Sequence, residues 1–352
     1  MTDLAALLSR LIAVPTPNPG GDEPKLASLL AEELARRGAD AAVIRFGEHA
    51  SVIARWGRPS VLWNAHLDTV PADAGWAGDP WTPRVEDGHV VGLGSADTKG
   101  AIAAILGALD EARPRDLLIA FTGDEELHGS CVRGLLENGS LAGIERAVVC
   151  EPTGCRAGVR HRGVIALDTR LEGTGGHSSQ ADSLPSPVAD LARVAVAWSD
   201  YGRARRDAGP EGFRGLCMNI ARLEGGVAFN VIPREARLTA SLRPPPGADQ
   251  AAIIAELRAL APGMTVDTPL DNPSFATRDL AAFRPILGSL VDAPIDLAFW
   301  TEAAVLSAAG MDAVVFGPGD IGVAHKAGER VPIRELERAR DIFAAALSDG
   351  TG

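Results

Sequence analysis

Val61-Leu62-Trp63-Asn64-Ala65-His66-Leu67-Asp68-Thr69-Val70-Pro71 opens the stretch that decides how this chain folds. A short apolar strand delivers a histidine and, two residues on, an aspartate. Residues i and i+2 of a strand share a face, so the Asp68 side chain is placed to accept the second N–H of the His66 ring. That bond fixes the tautomer and makes the other ring nitrogen a better metal donor. Val70-Pro71 ends the strand, because proline has no N–H for a ladder. An isolated His-x-Asp is more often a solvent-facing pair than a ligand set. The second half of the stretch shifts the balance. Val90-Val91-Gly92-Leu93-Gly94-Ser95-Ala96-Asp97-Thr98-Lys99-Gly100 is again a strand and a loop bearing a carboxylate, followed by an alanine-rich helix.

The pattern recurs along the chain. Asp116–Thr122 reads as a buried strand ending in Gly123-Asp124-Glu125-Glu126. Adjacent glutamates at the end of a core strand repel when desolvated, and a nearby cation removes that cost. One of them is suited to ligate a metal while its neighbour holds a water as general base. Arg146–Cys150 is a further strand, capped by Glu151-Pro152. Helical stretches between the strands predict an α/β fold, a mainly parallel sheet sandwiched by helices. His66, Asp97, Glu126 and Glu151 then fall at its C-terminal edge, where open sheets collect their ligands. After Ala313–Phe316, the loop Gly317–Ala327 adds one more imidazole, His325.

Between these parts the pattern changes. Gly163–Leu171, Cys217–Leu223, Glu235–Leu242 and Met264–Asp267 alternate as half-buried strands, with helices at Pro187–Arg203 and Gln250–Leu260. The order β-α-β-β-α-β is a split βαβ sandwich. The expected domains are therefore 1–158 and 269–352, forming one α/β domain, and an inserted α+β domain at 159–268. The remaining helices are read at Leu4–Ala13, Glu23–Arg37, Asp279–Leu290 and Ile333–Leu347.

Composition narrows the partners. The chain has 352 residues, 46% hydrophobic and 23% charged, with a net charge of -12. Nucleic acid needs a basic face, so none is expected. No apolar run approaches the ~20 residues that span a bilayer, so no membrane partner is expected either. Cys131, Cys150, Cys155 and Cys217 lack zinc-ribbon spacing and read as free thiols of a reducing compartment. With no signal-peptide pattern at the start, the expected location is cytoplasmic.

In order along the chain stand His66-Leu-Asp68-Thr-Val-Pro71, Gly94-Ser-Ala-Asp97-Thr-Lys-Gly100, Asp124-Glu125-Glu126, Glu151-Pro152, Gly175-Gly176-His177-Ser178, and Gly317-Pro318 before His325. Together they resemble the zinc-dependent aminoacylase and carboxypeptidase family, which includes acetylornithine deacetylases and succinyl-diaminopimelate desuccinylases. The resemblance implies a zinc-peptidase-like catalytic domain with a ferredoxin-like lid and dimerisation insert. It implies two Zn²⁺ ions, with Co²⁺ or Mn²⁺ as alternatives. One would be held by His66, Asp97 and Glu151, the other by Asp97, Glu126 and His325, with Asp97 shared. Glu125 would be general base and acid, and Asp68 the partner of His66. A glutamate at 151 is typical of the deacylase side.

His177, acting across a homodimer interface, is implied as an oxyanion donor. Asn230, Arg243 and Arg162 are implied at the substrate carboxylate, and Thr301 and Glu302 at a substrate tail beside Trp300. Glu302 would suit an ornithine ammonium. The expected substrate is a small N-acyl amino acid. The expected function is acetylornithine deacetylation in arginine biosynthesis, with acetylcitrulline as the near rival. Succinyl-diaminopimelate, dipeptides and a non-catalytic metal-binding scaffold are the further alternatives.

Overall fold

The structure is a computed structural model describing residues 2–348; Met1 and residues 349–352, the extreme ends of the first and last expected segments, lie outside the described residues. The described residues separate into two compact units: 2–159 with 277–297 and 301–348, and an inserted unit of Arg160–Ala276 with Ala298–Trp300.

The first unit opens with helices α1 (Leu4–Ile12) and α2 (Glu23–Arg36). The Asp3 carboxylate caps α1 by accepting the N–H of Ala6 at 3.0 Å. Strands β1 (Asp40–Phe46), β2 (His49–Trp56), β3 (Val61–His66), β4 (Arg84–Glu86) and β5 (His89–Val91) follow. Then come α3 (Lys99–Glu111), β6 (Leu117–Thr122), α4 (Ser130–Glu137), β7 (Arg146–Val149) and β8 (Gly158–His161). The inserted unit contributes β9 (Val164–Glu172), β10 (Gly176–His177), α5 (Pro187–Ala204), β11 (Asn219–Gly225), β12 (Val231–Ile232), β13 (Glu235–Leu242), α6 (Gln250–Ala259), β14 (Val266–Asn272) and β15 (Phe275–Ala276). The chain closes with α7 (Arg284–Leu287), β16 (Ile295–Asp296), α8 (Ala303–Ala308), β17 (Asp312–Val315), β18 (Arg330–Pro332) and α9 (Ile333–Ser348).

The main sheet runs β1-β2-β6-β3-β7-β17-β8. Its heart, β6-β3-β7-β17, is parallel, while β1, β2 and β8 join antiparallel. Every residue of β3 and β6 is buried, as parallel strands covered on both faces require. Trp63 on β3 packs its ring 4.6 Å from that of Phe343 on α9, and Phe316 meets the same ring edge-on at 5.5 Å.

Two expectations change. Asp97 does not follow a strand of the main sheet: β5 belongs to a separate small sheet, β18-β5-β4. A three-residue strand is too short to reveal in sequence which sheet it joins. The helix expected at Asp279–Leu290 is instead a 3₁₀ turn at Leu280–Phe283, the single turn α7, and a second 3₁₀ turn at Gly288–Asp292. Pro285 cannot extend a helix that precedes it, and Gly288 leaves helical space at φ +57°.

In the inserted unit β11-β13-β9-β14 form an antiparallel sheet. Leu191, Val194 and Trp198 of α5, with Ile253, Ile254 and Leu257 of α6, share a core with its buried face. Alternating burial along β13 reflects a sheet covered on one side.

Candidate metal centre

His66 ends β3 and is 2% exposed. Its ring Nδ1 donates to the backbone carbonyl of Asp68 at 2.9 Å, while the nearer Asp68 carboxylate oxygen lies at 3.6 Å. The expected bond to the Asp68 carboxylate is therefore made by the peptide oxygen. The carboxylate is engaged elsewhere: it accepts the backbone N–H of Glu125 at 3.2 Å and of Glu126 at 3.1 Å, and Nδ2 of Asn18 at 3.0 Å. Asp68 thus orients the turn that carries both glutamates. Nδ1 is thereby committed to the Asp68 carbonyl, which leaves Nε2 as the nitrogen that faces Asp97 and would bind a metal in place of a proton.

That nitrogen lies 2.9 Å from Asp97 Oδ1, and His325 Nε2 lies 3.2 Å from Asp97 Oδ2. Asp97 therefore turns one oxygen to each imidazole. His325 Nε2 is also 3.1 Å from Glu126 Oε1. Ligand atoms of His66, Asp97 and Glu126 all lie within 4.8 Å of one another. Glu151 follows β7, whose end is locked to β3 by the Cys150 N–H bonded to the Asn64 carbonyl at 2.7 Å. The loop leading to His325 crosses this point at Gly317, where a Cβ would come 2.6 Å from the Glu151 carbonyl. Only glycine fits there.

The electrostatics explain why a cation belongs here. Burial, then the charges of Asp97, Glu126 and Glu302, hold the Glu151 carboxyl well above its usual range. Burial does the same for Glu125, with Glu151 and Glu126 adding to it against the pull of His66. Glu126 is also raised by burial, although its bond to His325 opposes the shift. The compensating positive charge is imidazolium. Burial disfavours a charged His66, yet its bond to Asp97 and the charges of Glu151 and Glu125 hold its pKa well above normal. Bonds to Asp97 and Glu126 push His325 up to about 10. Burial would raise the shared Asp97, but its bonds to His325 and His66 hold it below the usual carboxylate range.

These donors fit a divalent ion. They are carboxylate oxygens and imidazole nitrogens, the hard and borderline ligands of zinc. Their separations of 2.9–3.2 Å approach the ~3.3 Å between neighbouring ligands of a tetrahedral ion with ~2.0 Å bonds. His325 is 47% exposed on its side chain, which leaves the centre open on that flank.

Behind this cluster lies a polar layer that the sequence reading missed. Asn18 Nδ2 bridges Asp68 and Asp124 at 3.0 Å each. Asp124 also accepts from the Ser130 hydroxyl. Glu302 and Thr301, expected at a substrate tail, are 1% and 0% exposed. Glu302 accepts from Thr122 Oγ1 at 2.6 Å and Asn64 Nδ2 at 2.9 Å, pinning β6 to β3 underneath the centre. Burial pushes its pKa up to about 7. A carboxyl enclosed in this way does not meet a substrate ammonium.

The other expected substrate residues belong to the inserted unit. His177 is exposed, with Nδ1 2.9 Å from the Ser179 hydroxyl, and Asn230 and Arg243 are also exposed. Arg162 departs from expectation. Its guanidinium donates to the carbonyls of Gly215 at 2.6 Å, Arg214 at 2.8 Å and Arg243 at 2.9 Å, and lies over the Phe213 ring. Those bonds tie down the 213–216 turn and occupy the fork that a substrate carboxylate would need.

Comparison with known proteins gives this geometry its context. An N-acetyl-L-citrulline deacetylase from Xanthomonas campestris pv. campestris is 34% identical over 362 residues, covering 96% of each chain. An acetylornithine deacetylase from Myxococcus xanthus is 31% identical over 311 residues, 84% of this chain and 81% of that one. A succinyl-diaminopimelate desuccinylase from Acidiphilium cryptum is 30% identical over 347 residues, 91% of each. Among solved structures, the M20 family metallo-carboxypeptidase Sso-CP2 from Sulfolobus solfataricus aligns with a TM-score of 0.76 at 16% identity over 99% of both chains. A dinuclear metal binding peptidase of the M20 family from Bacillus subtilis aligns at 0.71 and 15% identity, over 98% of this chain and 96% of that one. At those identities the likeness speaks for the fold. The sequence match described as Peptidase family M20/M25/M40 runs over residues 62–349 and takes in every candidate metal ligand, and the chain belongs to that family.

Proposed function

We propose that this chain is a two-zinc amidohydrolase that removes an acetyl group from the α-amine of an amino acid. The observation that carries the reading is Asp97, with one carboxylate oxygen against His66 and the other against His325. A shared carboxylate between two imidazoles is the arrangement that a pair of ions needs. His66, Asp97 and Glu151 would hold one ion, and Asp97, Glu126 and His325 the other. When bound, a zinc pair polarises the amide oxygen and makes water acidic enough to attack at neutral pH.

The remaining work falls to the protein. Glu125, held by the Asp68 bond to its backbone N–H, accepts a proton from the attacking water. It returns that proton to the leaving amine. In this reading His177 is the oxyanion donor, acting across the homodimer interface, and Asn230 and Arg243 are the substrate-carboxylate residues. The inserted unit would form the homodimer contact, and a monomeric mass by sedimentation would refute that part.

On substrate, the expected preference for acetylornithine gives way to acetylcitrulline. Glu302, the residue that was to receive an ammonium, is buried and bonded to Asn64 and Thr122. A neutral ureido tail needs no such anion. The similarity to an N-acetyl-L-citrulline deacetylase over 96% of the chain supports the same order. Acetylornithine remains the second reading, and arginine synthesis in the cytoplasm is the setting proposed for either. The test is kinetics on acetylcitrulline, acetylornithine, succinyl-diaminopimelate and dipeptides with added zinc or cobalt. Acetylated substrates should show the highest kcat/KM. Faster turnover of a succinyl or dipeptide substrate would overturn the assignment. Glu125→Gln should lower kcat by at least ~100-fold, the scale of a lost general base, with two zinc ions still bound.

A further inference from the structure

Glu329 is a carboxylate enclosed in the first unit, 1% exposed. Its Oε1 accepts the backbone N–H of Ala96 at 2.9 Å and of Asp97 at 3.1 Å. Its own carbonyl accepts the N–H of Gly92 at 3.0 Å. One residue therefore grips the loop from β5 to Asp97 at its start through main chain and at its end through side chain. The strand that follows it, β18, pairs with β5 itself. Lys99 closes the far side of the loop. It is fully buried, and its ammonium donates to the Val14 carbonyl at 2.9 Å. Its stem fills the space beside Gly94, where a Cβ would approach Lys99 Cδ to 3.2 Å.

A buried carboxylate is costly to keep unless something needs it. Here it fixes the peptide units on both sides of Ala96 and leading into Asp97. The Asp97 carboxylate has to present two oxygens in two directions, and its backbone sets where they point. Glu329 also follows His325 in the same loop, so it ties the chain segments bearing His325 and Asp97 to each other.

We propose that Glu329 is a positioning residue of the metal centre, holding Asp97 between the two imidazoles and fixing the His325 loop to it. The proposal rests on the two-metal reading above. Supporting residues behind metal ligands are worth about 10–100-fold in metal affinity.

The experiment is titration of metal-stripped full-length protein with Zn²⁺ by calorimetry, for wild type, Glu329→Ala and Glu329→Gln. Melting curves of the stripped proteins and Co²⁺ absorption spectra accompany it. Glu329→Ala should bind zinc about 10–100-fold more weakly at both positions, with an altered Co²⁺ spectrum. Glu329→Gln, which keeps the shape and one acceptor oxygen, should fall between Ala and wild type, and it decides the question if the Ala variant does not fold. Zinc affinity and cobalt spectrum unchanged in the folded variants, with only the stripped melting temperature lowered, would make Glu329 a purely structural residue and overturn the proposal. A wild type that takes up fewer than two zinc ions per chain would instead refute the two-metal reading, and this inference with it.

Discussion

His161 shows how a single buried ring sets a pH limit on the fold. It is 0% exposed, its Nδ1 donates to the Arg162 carbonyl at 2.9 Å, and its ring centre lies 5.2 Å from that of Phe275. Burial drives its pKa down to about 4. The unfolded chain, with a histidine near 6.5, binds more protons between pH 4 and 6.5 than the native one does. The contribution is thus complete above about pH 6.5 and is lost as pH falls to about 4, a change on the order of 3 kcal/mol. The denaturant midpoint of the inserted unit should fall over that window, and His161→Phe should flatten the fall; parallel pH profiles would exclude His161 as the cause. The candidate ligands stood out in sequence because each charged residue follows an apolar run. The residues behind them did not. Asn64 is one amide in a buried strand, and its partner Glu302 lies 238 positions away. Nothing local couples the two. Arg162 misled for the opposite reason: a solvent-range arginine looks free until the turn that consumes its donors is in place.

Among elements, the pairing of β3 with α9 has the most leverage on the centre. Trp63, on the strand that ends in His66, is covered by Phe343, and Phe316 braces the same ring from the end of β17. All three are fully buried. Phe343→Ala leaves a ring-sized cavity at this junction and should cost about 3–5 kcal/mol, read as a lower midpoint in urea with an unchanged slope. A loss below ~1 kcal/mol would mean that α9 collapses onto the gap. The long amphipathic helices were legible from their periodicity, and the buried strands β3, β6 and β7 from short continuous apolar runs that end in charged residues. Short pieces were not: α4 and α8 passed unread, and β14 begins and ends later than its expected Met264–Asp267. In β14 the register shifts between Asp267 and Leu270, which breaks the alternation that would have announced it.

For the whole molecule, metal should act unequally on the two units. The candidate ligands all belong to the first unit and none to the inserted one. A ligand that binds only the native state adds about 4 kcal/mol of stability at a thousand times its dissociation constant. Stripping zinc with a chelator should therefore lower the melting of the first unit and leave that of the inserted unit in place, which calorimetry resolves as one transition moving and one standing still. A single transition unaffected by chelation would contradict a resident metal. The β18-β5-β4 sheet carries this further. Asp97 departs from β5, and His325 arrives just ahead of β18, so both are mounted on a small ribbon separate from the main sheet. That ribbon is not loose: Val90 of β5 and Val331 of β18 are fully buried and the two strands pair directly, so a displacement of one carries the other with it. The spacing of Asp97 and His325 therefore answers to three short strands rather than to the parallel sheet beside them.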